Sequence, residues 1–391
     1  MKNILIISFF HSSPSRVGAM RTQRFVSYLP EFGWTPFVIT KPAPNNDSGN
    51  DAANTFYARS IRLNKPFQLE SFTWIPFMFT KAITILKRYL VPFVLISCPP
   101  FHPALVGILL KKLFRVKLVI DYRDAWSLNP YYQHIDRLHQ LILRGDRVLE
   151  EKLLRHTDLL TVTHQVMKEN YLQNFPFLKN RIEVIYNGFD PEWIDSSGKT
   201  LFSQFTILHL GNFYGGQKPR DPGLFLAAIQ KLIDQERIPP HHFQIFFLGE
   251  RYTEIEKMIS EKGLSAYVSC LDRVPYEVAM EYLNKSHLLL LIEKMEVMTT
   301  KVYEYLATGK PMLCLIRKGG DLESFIRKFS LNSSIVFSES VDEIKEAVWK
   351  CYGDYQKGGY RSLVNEEFRK SFSRMEQTRH LVHLLDRMIR N

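Results

Sequence analysis

The chain has 391 residues, of which 45% are apolar and 13% aromatic, and its formal net charge is +11. A composition this apolar excludes a disordered or fibrous chain, and the length is typical of two or three domains with real cores. The positive charge predicts an anionic partner, which leaves nucleic acid, acidic phospholipid and a phosphorylated substrate as open alternatives.

The apolar segments and the cysteines predict a cytosolic protein. The apolar run at the amino terminus is short and lacks a small-residue cleavage site, so it predicts a first buried strand rather than a signal peptide. No apolar segment reaches the length of a membrane span. The four cysteines are far apart and form no CxxC pair, which predicts reduced thiols and gives no zinc site.

The amino-terminal half alternates apolar segments with helical patterns, which is typical of a parallel α/β sheet. Helices are predicted at 20–32 and 144–155, and strands at 3–9, 36–40, 94–97, 117–121, 157–163 and 181–185. Gly18 and Arg21 follow the first strand, so they would bring backbone amides and a guanidinium to its carboxyl end. Without a GxGxxG pattern a dinucleotide cofactor is disfavoured, and Arg21 is alternatively a helix-surface charge.

The segment 66–93 is apolar and aromatic, with Lys81, Lys87 and Arg88 interspersed. One interpretation is an amphipathic helix that lies on a membrane surface and keeps the protein near a lipid-carried partner. The other interpretation is a helix that packs on the sheet, together with a short aromatic loop.

Two aspartates, Asp121 and Asp124, stand at the end of a predicted strand in the sequence DYRDAW. Side chains at this end of a parallel strand face the ligand crevice. The two aspartates are separated by two residues, one of them Arg123, rather than by the single residue of a DxD metal motif, so no metal site is predicted. The structural alternative is that Asp121 caps the next turn and pairs with Arg123.

The carboxyl-terminal half repeats the pattern, with strands predicted at 205–210, 243–248, 268–271, 287–292 and 312–316. The loop GNFYGGQKPRDP follows the first of them. Its Gly211, Gly215 and Gly216 let the backbone approach a ligand, and Lys218 and Arg220 bring two positive charges to the strand end. Fixed cations at this place suit an anionic ligand, and a flexible basic turn is the structural alternative.

The stretch EKMEVMTTKVYEYLATGKP predicts a charged loop and a short helix over 301–308, with N-cap oxygens from Thr299 or Thr300. Glu296 and Glu304 have seven residues between them, and the helix N-terminus between them favours an anion. Two carboxylates on one rim suit pairs of sugar hydroxyls. Alternatively, both carboxylates are solvated and the second forms a surface pair with the lysine three residues earlier.

The spacing of these glutamates, followed by YLATGKP, resembles the nucleotide-sugar site of retaining glycosyltransferases of family 4, which have the GT-B fold. The resemblance implies an α/β protein of two facing Rossmann-like domains, with mostly parallel sheets and a C-terminal helix that crosses back to the first domain. It implies that Glu304 holds the donor ribose and that Glu296 contacts the transferred sugar. Arg220 and Lys218 would neutralise the diphosphate. Further donor contacts are expected from Gly18, Arg21, Gly211, Asn212, Val274, Thr300 and Lys301.

The resemblance also assigns parts of the chain to two domains. DYRDAW is similar to a D-x-R-D-x-W signature on the acceptor side, where Asp124 would orient an acceptor hydroxyl. The implied domains are residues 1–195 on the acceptor side and 204–372 for the nucleotide sugar, with 373–391 as the returning helix.

The function implied is a metal-independent, retaining hexosyltransferase without a cofactor. It would move a sugar from a nucleotide-diphosphate sugar to a glycan or lipid-linked oligosaccharide in surface-polysaccharide biosynthesis. We expect it in the cytoplasm, with or without attachment to the cytoplasmic face of the inner membrane. A nucleic-acid partner is disfavoured because no basic run is interleaved with aromatic residues. A GT-B sugar-nucleotide epimerase or hydrolase, and a non-catalytic sugar-nucleotide-binding protein, stay open.

Overall fold

The chain folds as two compact units, each built around one sheet. The computed structural model describes residues 2–13, 17–42, 54–61, 67–129, 137–194, 200–213, 220–295, 297–337, 339–359 and 361–390. The first unit comprises Met1–Asn187 and Arg374–Asn391, and the second comprises Gly188–Ser373. Every described strand pair in the two sheets is parallel.

Strands and helices alternate along the chain, which confirms the predicted α/β class. The strands are β1 (Lys2–Ser8), β2 (Trp34–Thr40), β3 (Thr55–Tyr57), β4 (Phe93–Cys98), β5 (Lys117–Tyr122), β6 (Leu159–Val162), β7 (Ile182–Val184), β8 (Phe205–Leu210), β9 (Phe243–Leu248), β10 (Val268–Leu271), β11 (Leu288–Glu293), β12 (Met312–Ile316) and β13 (Ser333–Val336). The helices are α1 (Val17–Tyr28), α2 (Phe67–Arg88), α3 (Val106–Phe114), α4 (Arg137–His156), α5 (Gln165–Asn174), α6 (Pro191–Ile194), α7 (Gly223–Asp234), α8 (Thr253–Glu261), α9 (Tyr276–Lys285), α10 (Thr300–Thr308), α11 (Asp321–Phe329), α12 (Val341–Gln356), α13 (Glu366–Phe372) and α14 (Arg374–Arg390).

The first sheet has seven strands in the order β3-β2-β1-β4-β5-β6-β7. Its central strands are nearly continuous runs of Ile, Leu, Val and Phe, as expected for parallel strands covered on both faces. Leu5 and Ile7 share one core with α2, α3 and α4. Ile4 and Ile6 point the other way, into a core that includes residues of α1 and α14. The unit therefore has three layers, with α14 as part of its second helical layer.

The second sheet has six strands in the order β10-β9-β8-β11-β12-β13. β8 is buried along its whole length. Apolar side chains of α7 and α12, among them Phe225 and Val348, pack with Phe205 in the main core of this unit. The strand order places β8 and β11 at the centre of the sheet.

Each sheet contains a point where the chain reverses its direction of travel across the strands. In the second sheet the chain runs from β8 to β9 and β10, and then returns to place β11 on the other side of β8. In the first sheet the same reversal separates β1 from β4. Loops leaving adjacent strands at such a point diverge and open a crevice at the carboxyl ends, where α/β proteins bind ligands.

The predicted elements agree closely with the structure in the second unit. Strands predicted at 205–210, 243–248, 268–271 and 312–316 are confirmed at those bounds. In the first unit, α4 begins at Arg137 rather than at 144. The sequence does not predict β3 or β13, because these short strands carry Thr or Ser at their start and lack an apolar run.

The boundary between the units lies earlier than the predicted end of the first domain at 195. Residues 188–194 belong to the second unit. The Phe189 ring stacks on Phe368 with centroids 5.8 Å apart, and Asn284 Nδ2 donates to the Trp193 carbonyl at 2.7 Å. These contacts tie residues 188–194 to the second core, a tertiary effect that the local sequence does not reveal.

Within the segment 66–93, residues Phe67–Arg88 form α2, which packs on the first sheet through Trp74, Met78 and Ala82, as one of the two interpretations predicts. The opposite side of the same helix exposes Phe72 and Phe77 by 45% and 43%. Across the described ranges, no helix combines the length and apolarity that crossing a membrane requires.

Candidate functional site

An ion pair joins the loop after β8 to the end of β11. Arg220 Nε donates to Glu293 Oε2 at 2.6 Å, and the two residues are only 8% and 1% exposed. The backbone amide of Met295 donates to the other carboxylate oxygen at 3.2 Å. Burial raises the pKa of the Glu293 carboxyl, and the charge of Arg220 opposes that rise. The pair fixes a guanidinium at the strand ends beside the reversal point.

A second cation, Lys301, lies buried in the same region. Its Nζ is 3.3 Å from Nε2 of His209, which is itself fully buried in β8. Burial and the nearby charge of Arg220 lower the pKa of Lys301 to about 7, against the opposing carboxylates of Glu293 and Glu304. The alternative of an exposed surface pair between Lys301 and Glu304 does not hold, because both side chains are buried.

Gly211 directly follows β8 and has φ at +98°, a left-handed conformation that favours glycine. A Cβ atom at this position would lie 3.4 Å from Lys301 Nζ. The missing side chain therefore leaves the backbone beside the ammonium open to a ligand.

The next residue, Asn212, fastens the end of β8 to the end of β9. Its Nδ2 donates to Glu250 Oε2 at 3.0 Å, and its Oδ1 accepts the Glu250 amide at 3.0 Å. Arg273 Nη2 reaches the same carboxylate oxygen at 3.1 Å. Val274 follows directly and is half-buried between β10 and α9. Asn212 thus positions the strand ends.

Glu304 lies in α10, in which every residue from Lys301 to Thr308 is buried. Its Oε1 accepts the Tyr276 hydroxyl at 3.1 Å. This burial rules out the alternative of a solvated carboxylate. A buried carboxylate one turn into a helix at the strand ends is well placed to accept hydrogen bonds from a ligand.

The side chain of the N-cap residue does not cap helix α10. Thr299 occupies the N-cap, Thr300 is the first helical residue, and the Thr299 hydroxyl makes no capping bond. In the part of the chain that the structure describes, Thr299 Oγ1 is buried and has no hydrogen-bond partner. Helix N-termini favour anions because their first amides lack intrahelical acceptors.

Glu296, Lys218, Gly215 and Gly216 lie outside the described residues.

In the first unit, the carboxylate of Asp121 holds the guanidinium of Arg21. Its Nε and Nη2 bind the Asp121 carboxylate at 2.8–3.1 Å, and its Nη1 donates to the Tyr186 carbonyl at 3.0 Å. Burial disfavours the charged carboxylate, but Arg21 and the Thr161 hydroxyl outweigh this and hold the pKa of Asp121 below its usual value. The burial of Arg21 excludes the alternative of a helix-surface charge, and its contact with a donor stays a prediction.

The structure differs from the alternative in which Asp121 pairs with Arg123. Arg123 donates from Nε to the Cys98 carbonyl at 3.2 Å and from Nη2 to the Pro99 carbonyl at 2.7 Å. Gly18 packs so closely on this guanidinium that a Cβ atom there would overlap it. Asp124, by contrast, is exposed.

The predicted site lacks several residues of these clusters, among them His209, Glu250, Tyr276 and Glu293. Glu293 is the last residue of a run of apolar strand residues, and His209 is the one titratable side chain within FTILHL. A buried polar residue at a central strand end is a recognisable signal. Tyr276 and Glu250 give no comparable signal, because only the tertiary fold brings them to their partners. Among the described residues, no group of three or more His, Cys, Asp or Glu is arranged to hold a metal ion.

Comparison with known proteins places this architecture in a class. Residues 18–193 match the model of Glycosyltransferase Family 4. Over its whole length the chain is similar to sucrose-phosphate synthase from Thermosynechococcus elongatus, with 16% identity, a TM-score of 0.75, and coverage of 100% of this chain and 99% of that one. It is also similar to UDP-GlcNAc 2-epimerase from Neisseria meningitidis bound to UDP-GlcNAc, with 14% identity, a TM-score of 0.61, and coverage of 99% and 100%. The protein has the GT-B fold.

Within that class, residues 18–193 are similar to glycosyltransferases of family 4. A curated relative, an uncharacterized glycosyltransferase of Methanocaldococcus jannaschii, is 24% identical over 246 residues. That alignment covers 61% of this chain and 64% of the relative, so the chain spans just under two thirds of the relative's length in the match.

Proposed function

We propose that the protein is a retaining glycosyltransferase that uses a nucleotide-diphosphate sugar without a metal ion. The observation that carries this proposal is the buried cluster at the ends of β8 and β11, in which Arg220, Lys301 and Glu304 lie within one unit. Two fixed cations beside a glycine suit the two phosphates of a donor, and a buried carboxylate suits the adjacent hydroxyls of its ribose. The epimerase neighbour bound to UDP-GlcNAc further supports a sugar nucleotide as the ligand.

In this mechanism the second unit binds the donor. Arg220 and Lys301, together with Lys218, neutralise the diphosphate, Glu304 holds the ribose and Glu296 contacts the sugar. The acceptor hydroxyl attacks the anomeric carbon on the face that the diphosphate leaves. The bond between the anomeric carbon and the phosphate oxygen breaks, and the new glycosidic bond forms on the same face of the sugar. The hydroxyl proton passes to the departing phosphate. Positioning and charge stabilisation then supply most of the rate.

The first unit is proposed to bind the acceptor, with the exposed Asp124 orienting its hydroxyl. We further propose that this acceptor is a glycan or lipid-linked oligosaccharide of surface-polysaccharide biosynthesis and that the enzyme works on the cytoplasmic face of the inner membrane. Support comes from a surface on α2, α3 and α4, here called the three-helix surface. Its exposed apolar side chains are Leu69, Phe72, Phe77, Leu109, Leu113, Leu141, Ile142 and Val148.

Cations accompany these apolar groups on all three helices. On α4, the exposed Leu141, Arg144, Val148 and Lys152 follow one another at spacings of three, four and four residues and so share one face. The exposed cations on the other two helices are Lys81, Lys87, Arg88 and Lys112. A mixed apolar and basic helix face fits the interface of an anionic bilayer.

A GT-B epimerase is the second candidate, since such an enzyme is among the structural neighbours. An epimerase converts the sugar nucleotide alone, whereas a transferase needs an acceptor. The test is therefore in two steps. Thermal unfolding of the full chain is measured with UDP, GDP, ADP, dTDP, CMP and their sugar conjugates, with and without a chelator, because a ligand bound by the folded state raises the midpoint. NMR then follows the stabilising conjugate with and without glycan acceptors.

The expected result is stabilisation by one diphosphate family, unaffected by chelator, and an acceptor-dependent product that keeps the anomeric configuration of the donor. Isomerisation without an acceptor favours the epimerase. Binding without any turnover favours a non-catalytic protein. If no nucleotide shifts the midpoint, the proposed function is wrong. Glu304→Gln is the matched control, which should keep the unliganded midpoint and lose most of the ligand-induced shift.

A further inference from the structure

His209 is a buried histidine in an apolar strand, and its contacts give it a defined protonation state. Its ring stacks on Phe213 with centroids 4.2 Å apart and planes within 16°. Its Nδ1 lies 3.0 Å from the carbonyl oxygen of Leu290 in the neighbouring strand. A carbonyl only accepts hydrogen bonds, so Nδ1 carries the proton and the lone pair of the neutral ring is on Nε2.

That lone pair faces Lys301, whose Nζ is 3.3 Å away. Burial, with the charge of Lys301 next, holds the pKa of His209 well below its usual value, so the ring stays neutral and accepts. The contact holds the long lysine side chain beside Gly211, where the absence of a Cβ atom leaves room for a ligand. A chain of three groups therefore connects the Leu290 carbonyl, the imidazole and the ammonium.

We propose that His209 is a positioning residue whose Nε2 holds the Lys301 ammonium against the diphosphate of the donor nucleotide. The inference rests on the proposed function, because it assumes that a nucleoside diphosphate binds at the ends of β8 and β11. His209 does not touch the ligand. It acts through Lys301, in the way that a second partner orients a ligating side chain.

The arrangement also couples nucleotide binding to the uptake of a proton by Lys301. Lys301 faces Arg220 from the loop after β8, Glu293 from β11, Glu304 from its own helix and His209 from β8. With its pKa at about 7, Lys301 is largely neutral at pH 8 in the unliganded protein. A bound diphosphate favours the ammonium, so binding at pH 8 takes up about one proton, and affinity falls as the pH rises above 7.

Three variants separate positioning from packing. His209→Phe keeps a ring to stack on Phe213 and removes the acceptor. His209→Gln places an amide oxygen near the position of Nε2 and keeps the acceptor. Phe213→Leu loses the stacking partner and keeps the histidine. Isothermal titration with UDP, GDP or ADP, whichever stabilises the wild type, is run at pH 6 and pH 8 in buffers of different ionisation enthalpy, and thermal unfolding of each unliganded protein is recorded alongside.

The expected result is that His209→Phe weakens binding about tenfold at pH 6, while His209→Gln and Phe213→Leu stay within about threefold of wild type. Wild type should take up about one proton at pH 8, and Lys301→Arg, which is always charged, should take up none. A folded His209→Phe that binds like wild type overturns the inference. If His209→Phe does not fold, the absence of proton uptake by wild type at pH 8 overturns it instead. A wild type that binds none of the three diphosphates refutes the proposed function itself.

Discussion

Arg220 and Glu293 form the most buried ion pair of the second unit's candidate site, with Nε and Oε2 2.6 Å apart and the carboxylate side chain 1% exposed. Removing one partner of such a pair leaves the other charge uncompensated in the interior, which costs about 3–5 kcal/mol. We expect Arg220→Gln to lower the free energy of unfolding by this amount and to reduce turnover at least 100-fold. Urea unfolding and initial transfer rates measure the two effects.

The double variant Arg220→Gln with Glu293→Gln separates stability from catalysis. Two neutral amides can pair with each other, so the double variant should recover most of the lost stability and none of the lost activity. Lys231→Gln is the control, because it breaks the exposed Lys231–Asp342 pair of the same unit and should cost less than about 1 kcal/mol. Near-wild-type turnover of the double variant would remove Arg220 from the mechanism.

Glu304 is predicted to recognise the ribose, and a modified ligand tests this directly. Glu304→Gln should weaken the binding of UDP about tenfold or more, because a hydrogen bond to a charged group contributes about 1.5–3 kcal/mol. The same substitution should leave the weaker binding of 2′,3′-dideoxyuridine diphosphate unchanged, since that ligand has no ribose hydroxyls. Isothermal titration measures both, with GDP or ADP and their dideoxy forms if the protein prefers them.

Tyr276→Phe is the matched control for this experiment. It removes the hydroxyl that donates to Glu304 Oε1 and keeps the carboxylate. Its effect on UDP affinity should be smaller than that of Glu304→Gln. Equal losses for the ribose and the dideoxy ligands in Glu304→Gln would mean that the carboxylate acts on the local structure and not on the ribose.

The sequence is enough to predict the strand pattern and one glutamate of the site, and it fails where pairing depends on distant residues. Glu304 is singled out because its spacing from Glu296, followed by YLATGKP, resembles a known nucleotide-sugar site. Arg21 and Asp121 are 100 residues apart, and only the adjacency of β1, β4 and β5 brings the first helix to the end of β5. Local spacing pointed instead to Arg123, two residues from Asp121.

The contact between Lys301 and His209 shows the same limit at the candidate site. Helical spacing joins Lys301 to Glu304, yet burial and sheet order bring Lys301 to His209, which lies 92 residues earlier. The polar residue within a buried strand could have been noticed. Its contact with Lys301 could not be predicted, because neither segment of sequence indicates that β8 and β11 are neighbours in the sheet.

The Arg21–Asp121 pair should stabilise the first unit without affecting donor binding. Arg21→Met leaves Asp121 buried without its counter-ion, so we expect a loss of about 3–5 kcal/mol in the free energy of unfolding. Because the pKa of Asp121 is lower in the folded protein than in the unfolded chain, the contribution is present above the usual pKa of 3.8 and is lost as the pH falls below it. Urea unfolding of wild type and variant between pH 3 and pH 7 should show the two curves converging at the acid end.

The affinity of Arg21→Met for UDP at pH 7, in the temperature range where the variant is folded, should equal that of wild type. Arg21→Lys is an intermediate control, because one ammonium cannot reproduce the bidentate contact. A large fall in UDP affinity with unchanged stability would restore Arg21 to the donor site.

The three-helix surface predicts binding to anionic membranes. Co-sedimentation of the full chain with vesicles that contain phosphatidylglycerol should be strong at low salt and weak with phosphatidylcholine alone, because both charge and apolar contact contribute. Replacing Leu141 and Val148 with Asp should abolish the binding. Replacing Arg144 and Lys152 with Ser should weaken it about fivefold per residue, since each cation near an anionic surface contributes about 1 kcal/mol.

Leu331→Asp, at a leucine that is 58% exposed in the second unit, is the control and should bind like wild type. If the wild type stays in the supernatant at low salt, the surface does not bind lipid. If the Leu141 and Val148 substitutions have no effect, the contact lies elsewhere on the protein.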